Sequence, residues 1–379
     1  MRICIDARNL VFESNWAGTT LYTLRLIETL LRIDRSNTYT LYFNFFRGRL
    51  LDRVPQLRTL PARMRVLRLP RKYADPLCDR YRFPIDLVTG RFDVLHGPAY
   101  ELPYHRKGRS VVTVPDLTFH LHPEWLGASW RDHFIEDVRS AIERADLFIT
   151  ISEYIRGEMI DHLGIPGDRI FVIHLGVEER FSAPADPEER RLLINRYSLF
   201  GPYLLSVATH EPKKNLSGLL QAYRLLADRM KDAPRLVLAG KTGWESSPVQ
   251  EEVRSLGLQD RVSRIGYVPN EDIPRLYRHA SLFVFPSLYE GFGMPLLEAM
   301  AAGCPVVASH AAAIPEVAGD AAVLVDPHDP DAIARGMLNL LTDGDLKSEL
   351  VRRGKERAKG FTWEETARRH LEVYRTMGS

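Results

Sequence analysis

At 379 residues the chain exceeds what one hydrophobic core ordinarily holds, which predicts two domains. A formal net charge of +2 makes no case for a nucleic-acid partner, and the 45% apolar fraction is ordinary for a globular enzyme. The three cysteines, Cys4, Cys78 and Cys304, lack metal-type spacing and any pairing pattern, so a reducing cytoplasm is the expected compartment.

The opening residues, MRICIDARNL, read as a strand and not as the long apolar region of a signal peptide. No uncharged apolar run reaches the roughly 18 residues of a membrane span, so the protein is expected to be soluble or peripheral. Residues 19–33 predict a helix, because Leu21, Leu24, Ile27, Leu30 and Leu31 recur at helical spacing. Before it, the turn at 17–20 contains Gly18, and Thr19 or Thr20 suits a helix cap. Residues 39–46, 94–96, 110–114, 147–152 and 170–175 are further strand candidates, with helical stretches at 130–145 and 154–163. This alternation predicts a doubly wound α/β domain over 1–178.

Residues 47–82 hold eleven Arg or Lys against three Asp. That excess is either solvated loop charge or a contact with something anionic, such as a membrane surface or a lipid diphosphate. Downstream, VVTVPDLTFHLHPEW (111–125) places Asp116, His120 and His122 just after a strand, while His96 ends another strand in VLHGP. Each histidine is either an ordinary polar residue or a sugar contact.

Residues 179–198 are charged and contain Pro184 and Pro187, which predicts an interdomain linker. A second alternation follows, with strands expected at 203–207, 236–239, 262–265, 282–285, 306–308 and 322–325, defining a domain over 199–360. Residues 361–379 are a further helix candidate.

The chemistry concentrates in SLFVFPSLYEGFGMPLLEAMAAGCPVVAS (281–309). A short apolar strand runs into a loop whose Gly291 and Gly293 let backbone N–H groups approach a ligand. Pro295 then suits a helix start and Gly303 a helix end, before the next buried strand. Such a unit sets a helix N-terminus at the carboxyl edge of a parallel sheet, where a diphosphate fits. Glu298 is expected in the first helical turn, accepting hydrogen bonds from ribose hydroxyls, and Glu290 on the loop nearer a sugar. The plainer alternative is that both glutamates only favour a helix start and a solvated loop. Lys213 and Lys214, in the run Glu211 to Asn215, follow the first strand of the second domain and precede a helix. A lysine there neutralises charge that grows on a departing diphosphate.

Glu290, Gly291, Phe292, Gly293, Met294, Pro295, Leu296, Leu297 and Glu298 together resemble the E-x7-E signature of retaining GT-B glycosyltransferases of family four. That group includes mannosyl-, glucosyl- and rhamnosyltransferases of cell-envelope and polysaccharide assembly. The resemblance implies an α/β, GT-B fold of two Rossmann-like doubly wound domains facing across a cleft. The first would bind the acceptor and the second the nucleotide sugar, with the last helix, opening on Phe361 and Trp363, crossing back onto the first.

The same resemblance implies site roles. Lys214, after the basic Lys213, becomes the lysine beside the diphosphate, and Glu290 the holder of donor-sugar hydroxyls. Gly18 matches a glycine that approaches the donor. Tyr267 and Val268, in GYVPNEDI, match a loop that holds the base through backbone groups. Thr209 stands where many relatives place an arginine nearby, and is expected to donate a hydrogen bond instead. Pro115 occupies the histidine position of a histidine-aspartate pair, leaving Asp116 as its catalytic remnant, with His96, His120 and His122 as candidate sugar or acceptor contacts.

The implied reaction is retaining transfer of a hexose, mannose favoured, from a GDP- or UDP-linked donor to a hydroxyl of a saccharide or polyprenyl-linked saccharide. Neither cofactor nor metal is implied. Asp343 and Asp345, which spell a metal-binding pair, are expected to cap a helix. The alternatives are a GT-B phosphorylase, a sugar-nucleotide epimerase, and a non-catalytic nucleotide-sugar scaffold, the last favoured by Pro115.

Overall fold

The computed structural model describes residues 1–12, 18–48, 52, 54–70, 73, 81–127, 131–209, 211–240 and 247–378. It divides into two compact units, Met1–Gly176 with Trp363–Ser379, and Val177–Thr362.

In the first unit, β1 (Arg2–Asp6), β2 (Thr38–Asn44), β3 (Arg63–Leu67), β4 (Val94–Gly97), β5 (Arg109–Thr113), β6 (Leu147–Thr150) and β7 (Ile170–Val172) form one sheet. Their order is β3-β2-β1-β4-β5-β6-β7, and every pairing is parallel. The winding direction reverses between β1 and β4, the position where open α/β sheets receive ligands. β3 was not foreseen. It lies inside the basic 47–82 stretch, yet Arg63 and Arg65 alternate as exposed residues with half-buried Met64 and Val66, the pattern of an edge strand.

The Thr19–Ile33 helix buries Tyr22, Leu26, Ile27 and Leu30. Its N-cap, Gly18, has φ 55° and ψ −126°, a backbone that side chains resist, and no side chain caps it. Against this helix packs Trp363–Gly378, the last helix, through a buried polar chain. His370 Nδ1 lies 2.7 Å from the Thr366 carbonyl. A carbonyl only accepts, so that nitrogen carries the proton and Nε2 accepts from the Tyr22 hydroxyl at 2.8 Å. Tyr22 in turn accepts from Thr113 Oγ1 at 3.1 Å, Thr113 from His96 Nε2 at 2.8 Å, and His96 Nδ1 from the Tyr374 hydroxyl at 2.7 Å. Both imidazole tautomers are thereby fixed.

This corrects the expectation for His96. It is wholly buried and spends both ring nitrogens inside the unit, so it is not a sugar or acceptor contact.

The second unit contains β8 (Tyr203–Val207), β9 (Arg235–Ala239), β10 (Val262–Gly266), β11 (Leu282–Phe285), β12 (Val306–Ser309) and β13 (Val323–Val325). The parallel order β10-β9-β8-β11-β12-β13 repeats the doubly wound plan, with its reversal between β8 and β11. Leu219, Leu220, Tyr223, Leu236, Val284 and Met337 form part of its core, each burial worth about 1.5–3 kcal/mol.

Residues 179–198 are not a linker. They form the helices Glu179–Ser182 and Glu189–Tyr197 inside this unit, burying Phe181 and Leu193. Their charges are paired: Glu189 Oε1 takes Arg278 Nη2 at 2.6 Å, and the Tyr197 hydroxyl donates to Asp272 Oδ2 at 2.7 Å. Asp343 caps the Gly344–Ala358 helix by accepting the Leu346 N–H at 2.9 Å. Among the described residues no helix is long and apolar enough to cross a membrane.

Candidate active site

The site grows from the carboxyl ends of β8 and β11. After β8 the chain makes one tight turn, Pro212–Lys214, and reaches Asn215 in left-handed backbone, φ 53° and ψ 44°. Asn215 then works in two directions. Its Oδ1 accepts the Gly218 N–H at 3.3 Å, capping the Leu216–Arg229 helix, and its Nδ2 donates to the carbonyls of Pro286 at 3.1 Å and Pro327 at 2.7 Å. A Cβ on Gly218 would stand 2.6 Å from Asn215 Oδ1, so only glycine leaves room for this amide. The Leu288 N–H adds a bond to the Lys213 carbonyl at 2.8 Å. Two loops distant in sequence are thus stitched into one edge.

The stitching delivers Lys214 to Glu290. Nζ and Oε1 are 2.6 Å apart, with side chains only 14% and 10% exposed, and the ammonium also lies 5.8 Å from the Phe285 ring centroid. These two expected site residues therefore meet.

The Met294–Ala301 helix starts at Gly293, whose φ of 107° suits glycine, and no side chain caps it. Glu298 differs from expectation: as the fifth residue of the helix it lies in the second turn, half-buried. The Tyr277 hydroxyl donates to its Oε2 at 3.3 Å. Burial pushes this carboxyl up to about 8, with Arg180 opposing and Glu178 adding to the rise. At neutral pH it is thus largely a neutral acid, able to donate as well as accept, and not the carboxylate foreseen. Gly291 and Phe292 are buried, and Phe292 meets the Phe361 ring edge-on at 5.8 Å between centroids.

Thr209 is half-buried beside a close approach of strands. A Cβ on Gly240 would fall 1.9 Å from the Ala208 carbonyl oxygen. Tyr267 is 48% exposed and Val268 buried, after β10 and so two strands, about 10 Å, from β8.

The candidates of the first unit do not converge in this way. Asp116 Oδ1 accepts the Thr118 N–H at 2.9 Å, and Pro115 is buried. His120 is exposed. His122 stacks on Trp125 with ring centroids 3.9 Å apart and lies 3.3 Å from Glu124. Sequence reasoning missed the roles of Asn215 and Tyr277. An asparagine just before a helix was the available signal for the first; nothing local marked the second.

Residues 199–357 match the family described as Glycosyl transferases group 1, and residues 16–181 match Glycosyltransferase Family 4. With two doubly wound units and a lysine-carboxylate pair at the second switch point, the protein is a GT-B glycosyltransferase. The chain belongs to glycosyltransferase family 4. It is 35% identical over 285 residues to O-antigen chain mannosyltransferase B of Escherichia coli, covering 75% of this chain and 74% of that protein. It is also 34% identical over 280 residues to the serotype-specific mannosyltransferase WbdA of Escherichia coli, covering 73% of this chain but only 34% of WbdA. Among solved structures, sucrose-phosphate synthase from Thermosynechococcus elongatus shares the fold at a TM-score of 0.78 and 19% identity, covering 99% of this chain and 98% of that one. HepE of Anabaena, solved with UDP-glucose, does so at 0.76 and 18%, covering 99% and 100%.

Proposed function

We propose that the protein transfers mannose from a nucleoside-diphosphate donor, GDP-mannose favoured over UDP-sugars, to a hydroxyl of a saccharide or polyprenyl-linked saccharide in cell-envelope polysaccharide assembly, with retention at the anomeric carbon. The observation that carries this reading is the Lys214–Glu290 pair at the β8/β11 switch point. The names of the Escherichia coli mannosyltransferases support the choice of sugar.

In this reading the glycosidic C–O bond breaks ahead of attack, leaving an oxocarbenium-like sugar beside the nucleoside diphosphate. Lys214 and the N–H groups of Gly293 and Met294 stabilise the charge growing on the leaving oxygen. The acceptor hydroxyl attacks from the same face, and its proton passes to the leaving phosphate, so no strong side-chain base is needed. Glu290 orients Lys214 and binds donor-sugar hydroxyls. Tyr267 and Val268 hold the base, and Thr209 the phosphates. Charge neutralisation by lysine leaves no role for a metal.

Incubation with GDP-mannose, UDP-glucose and UDP-galactose and an octyl dimannoside tests the reading. The expected product is an α-linked mannoside from GDP-mannose, formed equally with EDTA present; a β-linked product, or no transfer from any donor, rejects it.

The basic stretch is proposed to touch an anionic membrane face. Among its described residues Arg63, Arg65 and Arg68 are exposed, as are Tyr73 at 59% and Tyr81 at 72%, next to Phe46 at 49%. Residues 49–51, 53, 71, 72 and 74–80 lie outside the described residues. Sedimentation with anionic and neutral liposomes at rising salt decides the matter, since binding indifferent to lipid charge removes the idea.

A further inference from the structure

The turn after β12 holds an alanine in a backbone that its side chain resists. Ala312 takes φ 50°, the left-handed region that suits glycine and asparagine. Asn215, on the opposite side of β11, also stands in that region, but its amide makes three hydrogen bonds there. The methyl group of an alanine makes none. Such strain persists only where the surrounding structure over-determines it.

The bonds on either side of Ala312 do this. Ser309 Oγ accepts the Ala311 N–H at 2.9 Å, the His310 N–H donates to the Val325 carbonyl at 2.9 Å, and the Ile314 N–H donates to the Ala311 carbonyl at 3.2 Å. Ser309 and Ala313 are wholly buried. At the end of the turn the Ala313 N–H donates to the Glu290 carbonyl at 3.3 Å, and the Ala313 carbonyl accepts the Val317 N–H of the Ile314–Ala318 helix. The loop that carries Glu290 is therefore held from two sides. The Asn215 amide holds it at Pro286, next to β8, and the Ala313 N–H holds it at Glu290, next to β12.

In the ordinary helical or extended backbone, residue 312 would turn the following peptide and carry the Ala313 N–H off the Glu290 carbonyl. The main chain of Glu290 would lose that anchor, and its carboxylate would lose its fixed approach to Lys214 Nζ, 2.6 Å away. We infer that Ala312 is a positioning residue for the transfer: its left-handed backbone sets the Ala313 N–H on Glu290 and thereby fixes the carboxylate against Lys214. It acts through Glu290 and not on the reacting atoms. This rests on the reaction proposed above and adds to it a residue from the β12 side of the site.

Substitutions that separate backbone preference from size test the assignment. Asparagine and threonine are similar in size, but asparagine enters the left-handed region readily and β-branched threonine does not. Ala312→Thr is expected to lower kcat by about tenfold or more, while Ala312→Asn and Ala312→Gly lose far less. The Lys214–Glu290 coupling, measured by a double-variant cycle in urea unfolding, should shrink in the Ala312→Thr background. Ser309→Ala removes the oxygen that holds the Ala311 N–H and adds no bulk; it should lower kcat and the coupling in the same direction, and it carries the test if Ala312→Thr does not fold. Equal losses in the asparagine and threonine variants, or wild-type kcat and coupling in Ala312→Thr or Ser309→Ala, overturn the assignment. A weakened coupling in these variants of a protein that transfers no sugar supports the positioning role while rejecting the activity proposed above.

Discussion

Lys214 Nζ and Glu290 Oε1 lie 2.6 Å apart although 76 residues separate them, and neither side chain is more than 14% exposed. Such a pair is mutually dependent, because removing one partner strands the other charge away from water. Lys214→Ala is expected to destabilise the protein by about 3 kcal/mol and to lower kcat/KM by about two to three orders of magnitude. Glu290→Ala should cost similar stability, and the double variant clearly less than the sum of the two. Urea unfolding of all four proteins measures this coupling; additive losses would show that the contact contributes no coupling.

Glu298 ties stability to alkaline pH. Its folded value, about 8, stands above its ordinary 4.5, so the native state holds a proton that the unfolded chain releases. The stabilisation is complete below pH 4.5 and is lost as pH rises through 8. Its full size is about 2–3 kcal/mol after allowance for partial exposure. Glu298→Gln should flatten this slope in thermal melts between pH 5 and pH 9 while weakening GDP affinity.

The buried histidines act at the opposite end. Burial takes His370 down to about 4 against the pull of the Thr366 carbonyl, and burial with His370 nearby holds His96 well below the ordinary histidine range. Both are neutral when folded and take up protons when unfolded, so their contribution is intact above about pH 6.5 and lost as pH falls towards 4. Tyr374→Phe leaves His96 Nδ1 without its donor and should cost about 1–3 kcal/mol. Acid melts followed by tryptophan fluorescence, with Trp363 lying beside Tyr22 at 6.4 Å between ring centroids, should show the variant's transition displaced to higher pH.

Asn215→Ala removes a helix cap and two cross-loop bonds together. Expected losses are about 2 kcal/mol of stability and a reduced kcat, because Lys214 is no longer fixed relative to Glu290. Gly218→Ala should reproduce the defect by forcing the Asn215 amide away. A Gly218→Ala protein with unaltered kcat and melting temperature would refute the fit between these two residues.

Much of the fold was legible because strands buried on both faces read as apolar runs and helices keep their period. The loop from Leu288 to Met294 was legible for a related reason, since glycine and proline mark backbone requirements that survive without tertiary context. What failed was tertiary in origin. Two of the five residues of β3 are arginine, and only its edge position makes that tolerable. Residues 179–198 looked like a solvated connector because their partners, Asp272 and Arg278, come from a helix some 80 residues later. His96 looked like a site residue because nothing near it announces Tyr374, 278 positions away, as its hydrogen-bond donor. Lys214 and Glu290 were each identifiable, but their meeting needed the Asn215 amide, whose two carbonyl partners lie on other loops.

The final helix packs on Thr19–Ile33 and supplies His370 and Tyr374 to the interior of the first unit. That unit is therefore interrupted by the whole of the second. During synthesis from the N-terminus, the half encoded later has all of its own segments in hand first, while the earlier half waits for the closing residues to leave the ribosome. Until then its polar interior is incomplete, which makes a truncated nascent chain a target for chaperones and proteases through its leading half.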